Sequence, residues 1–428
     1  MKTTLNYLSK LAILFLMFAS GVFSQNITNT LGTNGVFTIK DASNNFLTLS
    51  QSTGEVNILR SLRLENTTSS SLGVLFKGND RFLHNFGIYN TFIGSNSGNF
   101  IMSGNYNTAV GGLSLSSNTS GTYNTALGVS ALYTNTTGTY NTAVGVNSLY
   151  LNTTGLQNTA VGNSTLFNNT TGYNNVAMGN SSLISNTTGY ENTAVGLVSL
   201  YSNTSGFHNT AFGKGSLFSN TTGSENSAVG LNSLYFNTEG YGNIAMGFNS
   251  LYNNTTGFQN IAVGSNALLS NTNGFNNTAV GSAALYSNFT GSYNTALGLW
   301  SLRLNTTGSE NTSLGSFSLN SNINGYKNTA VGMSSLSSNI NGYENTAVGH
   351  NSLFYNTGNQ NTAMGMSSLN SNTNGLNNTA VGHSSLYLNT GGNNNTALGT
   401  ASLYKNIGYG NTAVGMYSLF SNSSGQNN

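Results

Sequence analysis

Apolar and polar positions along most of this chain recur with a fixed period. The stretch Asn141–Gly162 reads NTAVGVNSLYLNTTGLQNTAVG, and its last five residues repeat its first five after seventeen residues. Taking the Asn of N-T-A-V-G as position 1, units begin at Asn90, Asn107, Asn124 and onward to Asn411. Every step is seventeen residues except two of sixteen, where N-T-T-G shortens to Asn356-Thr357-Gly358 and Asn406-Ile407-Gly408. Within the unit, position 3 is Ala, position 4 is Val, Leu or Met, and position 9 is Leu from Leu115 to Leu419; position 5 is Gly from Gly94 to Gly415. Glycine twice per unit and the lack of any 3.6-residue period exclude helices. The pattern predicts two short strands per unit, T-A-V and S-L-Y, separated by Gly and Asn-Thr-Thr-Gly corners where Gly and Asn accept positive φ.

Tandem short units that cannot bury a core alone must stack. The expected fold is all-β, a parallel β-solenoid (β-roll) of about twenty 17-residue coils. At about 4.8 Å per coil it makes a rod of roughly 95 Å. Asn at positions 1 and 12, for example Asn135, Asn152 and Asn169, would then align in amide ladders that serve the corners. Ala at position 3 and Val at position 4 are neighbours on one strand and point to opposite faces. An extended segment apolar on both faces is expected to be covered on both, one by its own coil and the other by a partner chain.

The remainder divides the chain as follows: a leader over 1–24, an N-terminal β-meander acting as a cap over 25–71, transition coils over 72–106, and the repeat solenoid over 107–428. The leader carries Lys2 and Lys10, then LAILFLMFASGVF, with cleavage expected before Gln25; its apolar run is short for a membrane span. The meander reads GVFTIKD, NFLTLSQ and VNILRSLRL; Lys40, Asp41, Arg60, Arg63, Lys77, Asp80 and Arg81 suit a cap that blocks an open edge.

Composition narrows the function classes. Only 5% of residues are charged, proline and cysteine are absent, and 53 glycines accompany 22 Tyr and 22 Phe, a mix too aromatic for a disordered chain. Without Lys2 and Lys10 the 11 basic residues fall to 9, against 9 acidic ones, and they are not clustered, so a nucleic-acid partner is not expected. No nucleotide, metallohydrolase or other catalytic motif is present. His350 and His383 share position 6 but lie two coils apart, about 10 Å, too far to share a metal. Glu310, Lys327 and Glu344 at position 17 are expected to form an alternating-charge ladder. Catalytic, cofactor-binding and metal residues are therefore not assigned, and no cofactor is expected. The candidate binding surface is the aromatic column at position 10: Tyr133, Tyr150, Phe167, Tyr201, Phe218, Tyr235, Tyr252 and Tyr286. It serves either as an adhesive stripe or as packing, against another chain or against the aromatics at position 16, with packing favoured.

The recurring NTAVG with VGVNSLYLNTTG resembles the head repeats of bacterial trimeric autotransporter adhesins (YadA-like heads), and similar units occur in secreted bacterial proteins that resemble phage tail fibres. The resemblance covers 90–428 and, more weakly, 72–104; the unit here is longer than is usual for the family. It implies a left-handed, trimeric roll that binds host or matrix surfaces. Together these readings point to a secreted or cell-surface, non-catalytic adhesive fibre acting as a homotrimer, with a matrix or glycan ligand. The alternatives are an ice-binding solenoid, suggested by Thr at positions 2 and 14, and an amyloid-like matrix subunit.

Overall fold

The computed structural model describes residues 36–40, 45–50, 52–59 and 62–428; the expected leader, Asp41 and Arg60 lie outside them. Two compact units result, Met1–Leu64 and Glu65–Asn428. In the first, β1 (Val36–Lys40), β2 (Asn45–Ser50) and β3 (Val56–Ile58) form an antiparallel sheet in that order.

The second unit opens with a hairpin, β4 (Leu75–Lys77) and β5 (Asp80–His84), and β5 pairs antiparallel with β6 (Thr91–Ile93). From β6 onward every strand is three residues long and pairs parallel and in register with the equivalent strand of the next coil, through β25 (Thr412–Val414). This is the parallel β-solenoid that the period predicts. The strand lying on the edge of the first coil is β5, so Asp80 and Arg81 belong to the hairpin that covers it.

Only one strand per unit forms. S-L-Y is a turn, and the position-9 leucines from Leu115 to Leu419 all have φ between 46° and 53°, the left-handed region that costs a residue with a Cβ about 1–2 kcal/mol. Positions 7 and 17 are left-handed as well, for example Asn147 and Gln157, both at φ 56°. These reversals turn successive peptide groups along the solenoid axis, so a non-extended segment still bonds to its neighbours. Asn147 N–H donates to Val129 in the preceding coil at 3.0 Å, whereas Leu149 and Leu151 donate to Thr165 and Phe167 in the following one at 3.0 and 2.9 Å. Backbone pairing thus continues through the turns.

The corners also differ from the expectation. Gly at position 5 does need its freedom, with Gly145 at φ 134°. Gly at position 15 and the two asparagines are not left-handed. Glycine at 15 is required by space: a Cβ on Gly240 would collide with Asn237 Oδ1 and Gly257 O and come within 2.8 Å of Asn254 Nδ2.

Those asparagines build two buried ladders. At position 1, Asn243 Nδ2 donates to Asn226 Oδ1 at 3.1 Å and to Gly257 O at 2.9 Å. Its Oδ1 accepts from the backbone N–H and Nδ2 of Asn260 at 3.0 and 3.2 Å, so both donors and both lone pairs are used. At position 12, Asn237 Nδ2 donates to Asn220 Oδ1 and Gly240 O at 2.8 and 3.0 Å. The interior of a coil is therefore Ala at 3, Leu at 9, a buried Ser, Thr or Ala at 8, and two asparagines, all essentially inaccessible. Position 4 is outside the core: the strand pattern of β15 (Ile244–Met246) is exposed, buried, exposed. Where the first shortened corner removes a residue, Asn356 Nδ2 reaches only Gly358 O, and Asn339 Oδ1 is left buried without a donor.

The first coil replaces the Ala and Leu pair by Phe92 and Gly98. A Cβ on Gly98 would meet the Phe92 ring at 2.6 Å, so the large residue at position 3 fills the room vacated at position 9. His84 stacks on Phe92 with centroids 4.7 Å apart and bonds Ser97 O at 2.8 Å through Nε2. Burial lowers its pKa, opposed by that bond and aided by Arg81.

Candidate binding surface

Position 10 follows the left-handed Leu and leaves the coil at the turn, which places its rings half-buried on the outside, directly above one another. Tyr133, Tyr150 and Phe167 form one stack and Tyr201, Phe218, Tyr235 and Tyr252 another, with centroids 4.8–5.3 Å apart and planes within 18°. Ile184 and Leu269 interrupt the column. Tyr286 instead has the Arg303 guanidinium 5.9 Å from its ring centre. The structure thus brings the sequence-predicted residues together in two runs, each ring packed on the equivalent ring of the next coil. Position 16 forms separate stacks of its own, such as Tyr173, Tyr190 and Phe207. The spacing is the coil rise, so parallel stacking follows from the repeat once two aromatics are consecutive in a column.

Two further features escaped the sequence reading. Tyr89, Tyr106, Tyr123 and Tyr140 at position 17 stack at 4.7–5.1 Å and are more exposed than the position-10 rings; four consecutive tyrosines at one position were the available signal. An open groove of about 480 Å³ lies between Phe236 and Phe289, floored by Thr238, Thr255, Thr272, Asn253 and Ser270. The outward apolar column expected at position 4 is present: every strand from β6 to β25 ends in Val, Ile, Leu, Met or Phe, and Phe212, Met246 and Leu398 are 56, 45 and 47% exposed. Position 6 extends it locally through Phe248, Leu299 and Met333.

Titratable groups do not converge. Among the described residues no three His, Cys, Asp or Glu come together to hold a metal, and the ion pair found is His208 with Glu191 at 2.9 Å, exposed at position 17. The expected ladder of Glu310, Lys327 and Glu344 does not close: none of the three makes an ion pair, and Glu344 accepts instead from Gln360 Nε2 at 3.0 Å. Long side chains held at a 4.8 Å spacing on an exposed corner gain little from pairing. No described helix is long and apolar enough to cross a membrane. Comparison with models of protein families, with curated protein sequences and with solved structures gave no match.

Proposed function

We propose that the chain is a secreted, non-catalytic structural and adhesive fibre protein whose copies associate side by side along the position-4 column. The observation that carries this reading is the unbroken outward apolar column itself. A run of outward Val, Leu, Met and Phe, exposed or half-buried over the whole stack, far exceeds the scattered apolar residues of a monomer's surface, and a second copy carries the same column at the same rise. Three copies is the number implied by the resemblance to the adhesin head repeats. The leader-like start supports export, and the ladders, which leave no enclosed cleft within a coil, support a scaffold rather than an enzyme.

Sedimentation velocity on the leader-free chain tests the assembly, paired with its capture on immobilised matrix proteins and glycans. The expected result is an elongated trimer that is retained on at least one such surface. The Met246→Lys, Leu297→Lys variant, altered only at exposed positions, is expected to sediment as a folded monomer with unchanged circular dichroism. A wild-type chain that stays monomeric at tens of micromolar and adheres to nothing overturns the reading.

A further inference from the structure

Two adjacent coils depart from the repeat together. The chain's one tryptophan, Trp300, occupies position 7 of the coil beginning at Asn294, and the one arginine of the repeat, Arg303, occupies position 10 of the same coil. The guanidinium carbon lies 4.5 Å from the Trp300 ring centre and 5.9 Å from that of Tyr286 in the preceding coil. Phe317, at position 7 of the next coil, packs edge-on against Trp300 at 5.3 Å. Arg303 makes no side-chain hydrogen bond and no ion pair among the described residues.

Two observations mark this as more than variation. Position 7 has positive φ in every coil, and most coils place Asn, Ser, Ala or Gly there; Leu113, Val198 and Tyr417 are single large residues at this position, whereas Trp300 and Phe317 put aromatic rings there in consecutive coils. In addition, three buried side-chain polar atoms lack partners among the described residues. Two of them, Arg303 Nε and Asn320 Oδ1, belong to consecutive residues of one column at this spot. Buried unpaired groups are otherwise avoided.

We infer that Tyr286, Trp300, Arg303, Phe317 and Asn320 form a recognition site for a carboxylate-bearing sugar. A guanidinium stacked on indole leaves its in-plane N–H groups clear of the ring; with Nε buried, the terminal Nη groups are the ones that grip a carboxylate with two parallel bonds. The aromatic faces offer flat apolar surface to the C–H face of a pyranose ring, and Asn320 adds its amide N–H groups for hydroxyl oxygens. The charge limits the ligand: one cation without basic neighbours fits a single carboxylate, whereas a polyanion needs clustered Lys and Arg. An extended peptide is disfavoured because the backbone donors and acceptors of these coils already serve adjacent coils, as in Leu302 N–H to Ser318 O at 2.9 Å, leaving no edge for strand addition. The site names a ligand class for the adhesive reading above and rests on it, but the two fail separately: a trimer that still adheres to its surface without Arg303 keeps that reading and removes this one.

Because Trp300 is the only tryptophan, its emission reports this site in the intact chain. Titrating the full chain with sialyllactose is expected to give a saturable change in Trp300 fluorescence, with lactose binding at least tenfold more weakly. Arg303→Met is expected to abolish the difference between the two sugars, and Arg303→Lys to weaken sialyllactose several-fold. If the arginine variants fail to fold, the wild-type comparison of sialyllactose with lactose still decides. Equal responses to both sugars, no response to either, or a response confined to a tetraglutamate peptide would each overturn the inference.

Discussion

Asn243→Leu, in the middle of the stack, is expected to cost at least 2 to 6 kcal/mol, the sum of about 1–3 kcal/mol for each of two buried N–H groups left without an acceptor. Leucine has the heavy-atom count and branching of asparagine, and the greater bulk of its methyl groups can only add to the loss. What disappears is Oδ1, on which the backbone N–H and one Nδ2 proton of Asn260 both depend. The backbone N–H of residue 243 still reaches Asn226, and Gly257 O keeps Asn254 as a donor at 2.9 Å, so the damage is directed toward the following coil. Urea unfolding gives the size of the effect. Thr256→Ala on an exposed corner serves as the control, with a change within about 0.5 kcal/mol. An Asn243→Leu midpoint equal to that of the control would mean that the amide ladder is incidental. Stability in stacked repeats is carried between neighbours, so the variant also tests whether one broken rung divides the stack into separately melting segments.

The second large effect lies in the first coil. Phe92→Ala removes a fully buried ring and is expected to cost about 3–5 kcal/mol. Gly98→Leu alone drives a side chain into that ring, at about 1–3 kcal/mol. The double variant recreates the Ala and Leu pair present in the next coil as Ala109 and Leu115, on a backbone already left-handed at φ 61°. The two changes should therefore offset each other, with a coupling of about 1–3 kcal/mol in a double-mutant cycle. His84 still loses its stacking partner, so recovery is partial. Strict additivity would show that positions 3 and 9 do not share one cavity in this coil.

How much of this was legible in the sequence depends on which interactions leave a pattern. The period, the parallel stacking and the amide ladders follow from Asn and Gly recurring at fixed positions, because in-register stacking brings identical side chains face to face. The second half of the unit was misread for a physical reason. S-L-Y has the residues of a strand, yet its leucine sits at positive φ, a state that leucine itself does not signal. Bonding from coil to coil holds it there, and that is a property of the stack rather than of the segment. The same limit applied to Gly155, read as a turn residue when its role is to leave room for Asn152 Oδ1 and Gly172 O. At the candidate surface, the position-10 column was visible as a column. That its rings pack on one another, and that Arg303 lies over Trp300, needed the rise and the turn geometry, which spacing alone does not contain.

Hydrogen exchange on the native chain, resolved by peptide, tests the central claim most directly: the coils are bonded to one another through the turns as well as the strands. The structure predicts that amides at positions 9, 11 and 13, such as Leu251, Asn253 and Thr255, are protected to the same degree as those of Ile244–Met246, because each donates to the following coil at 2.9–3.0 Å. Protection confined to the three-residue strands, with rapid exchange from position 6 to position 17, would contradict it.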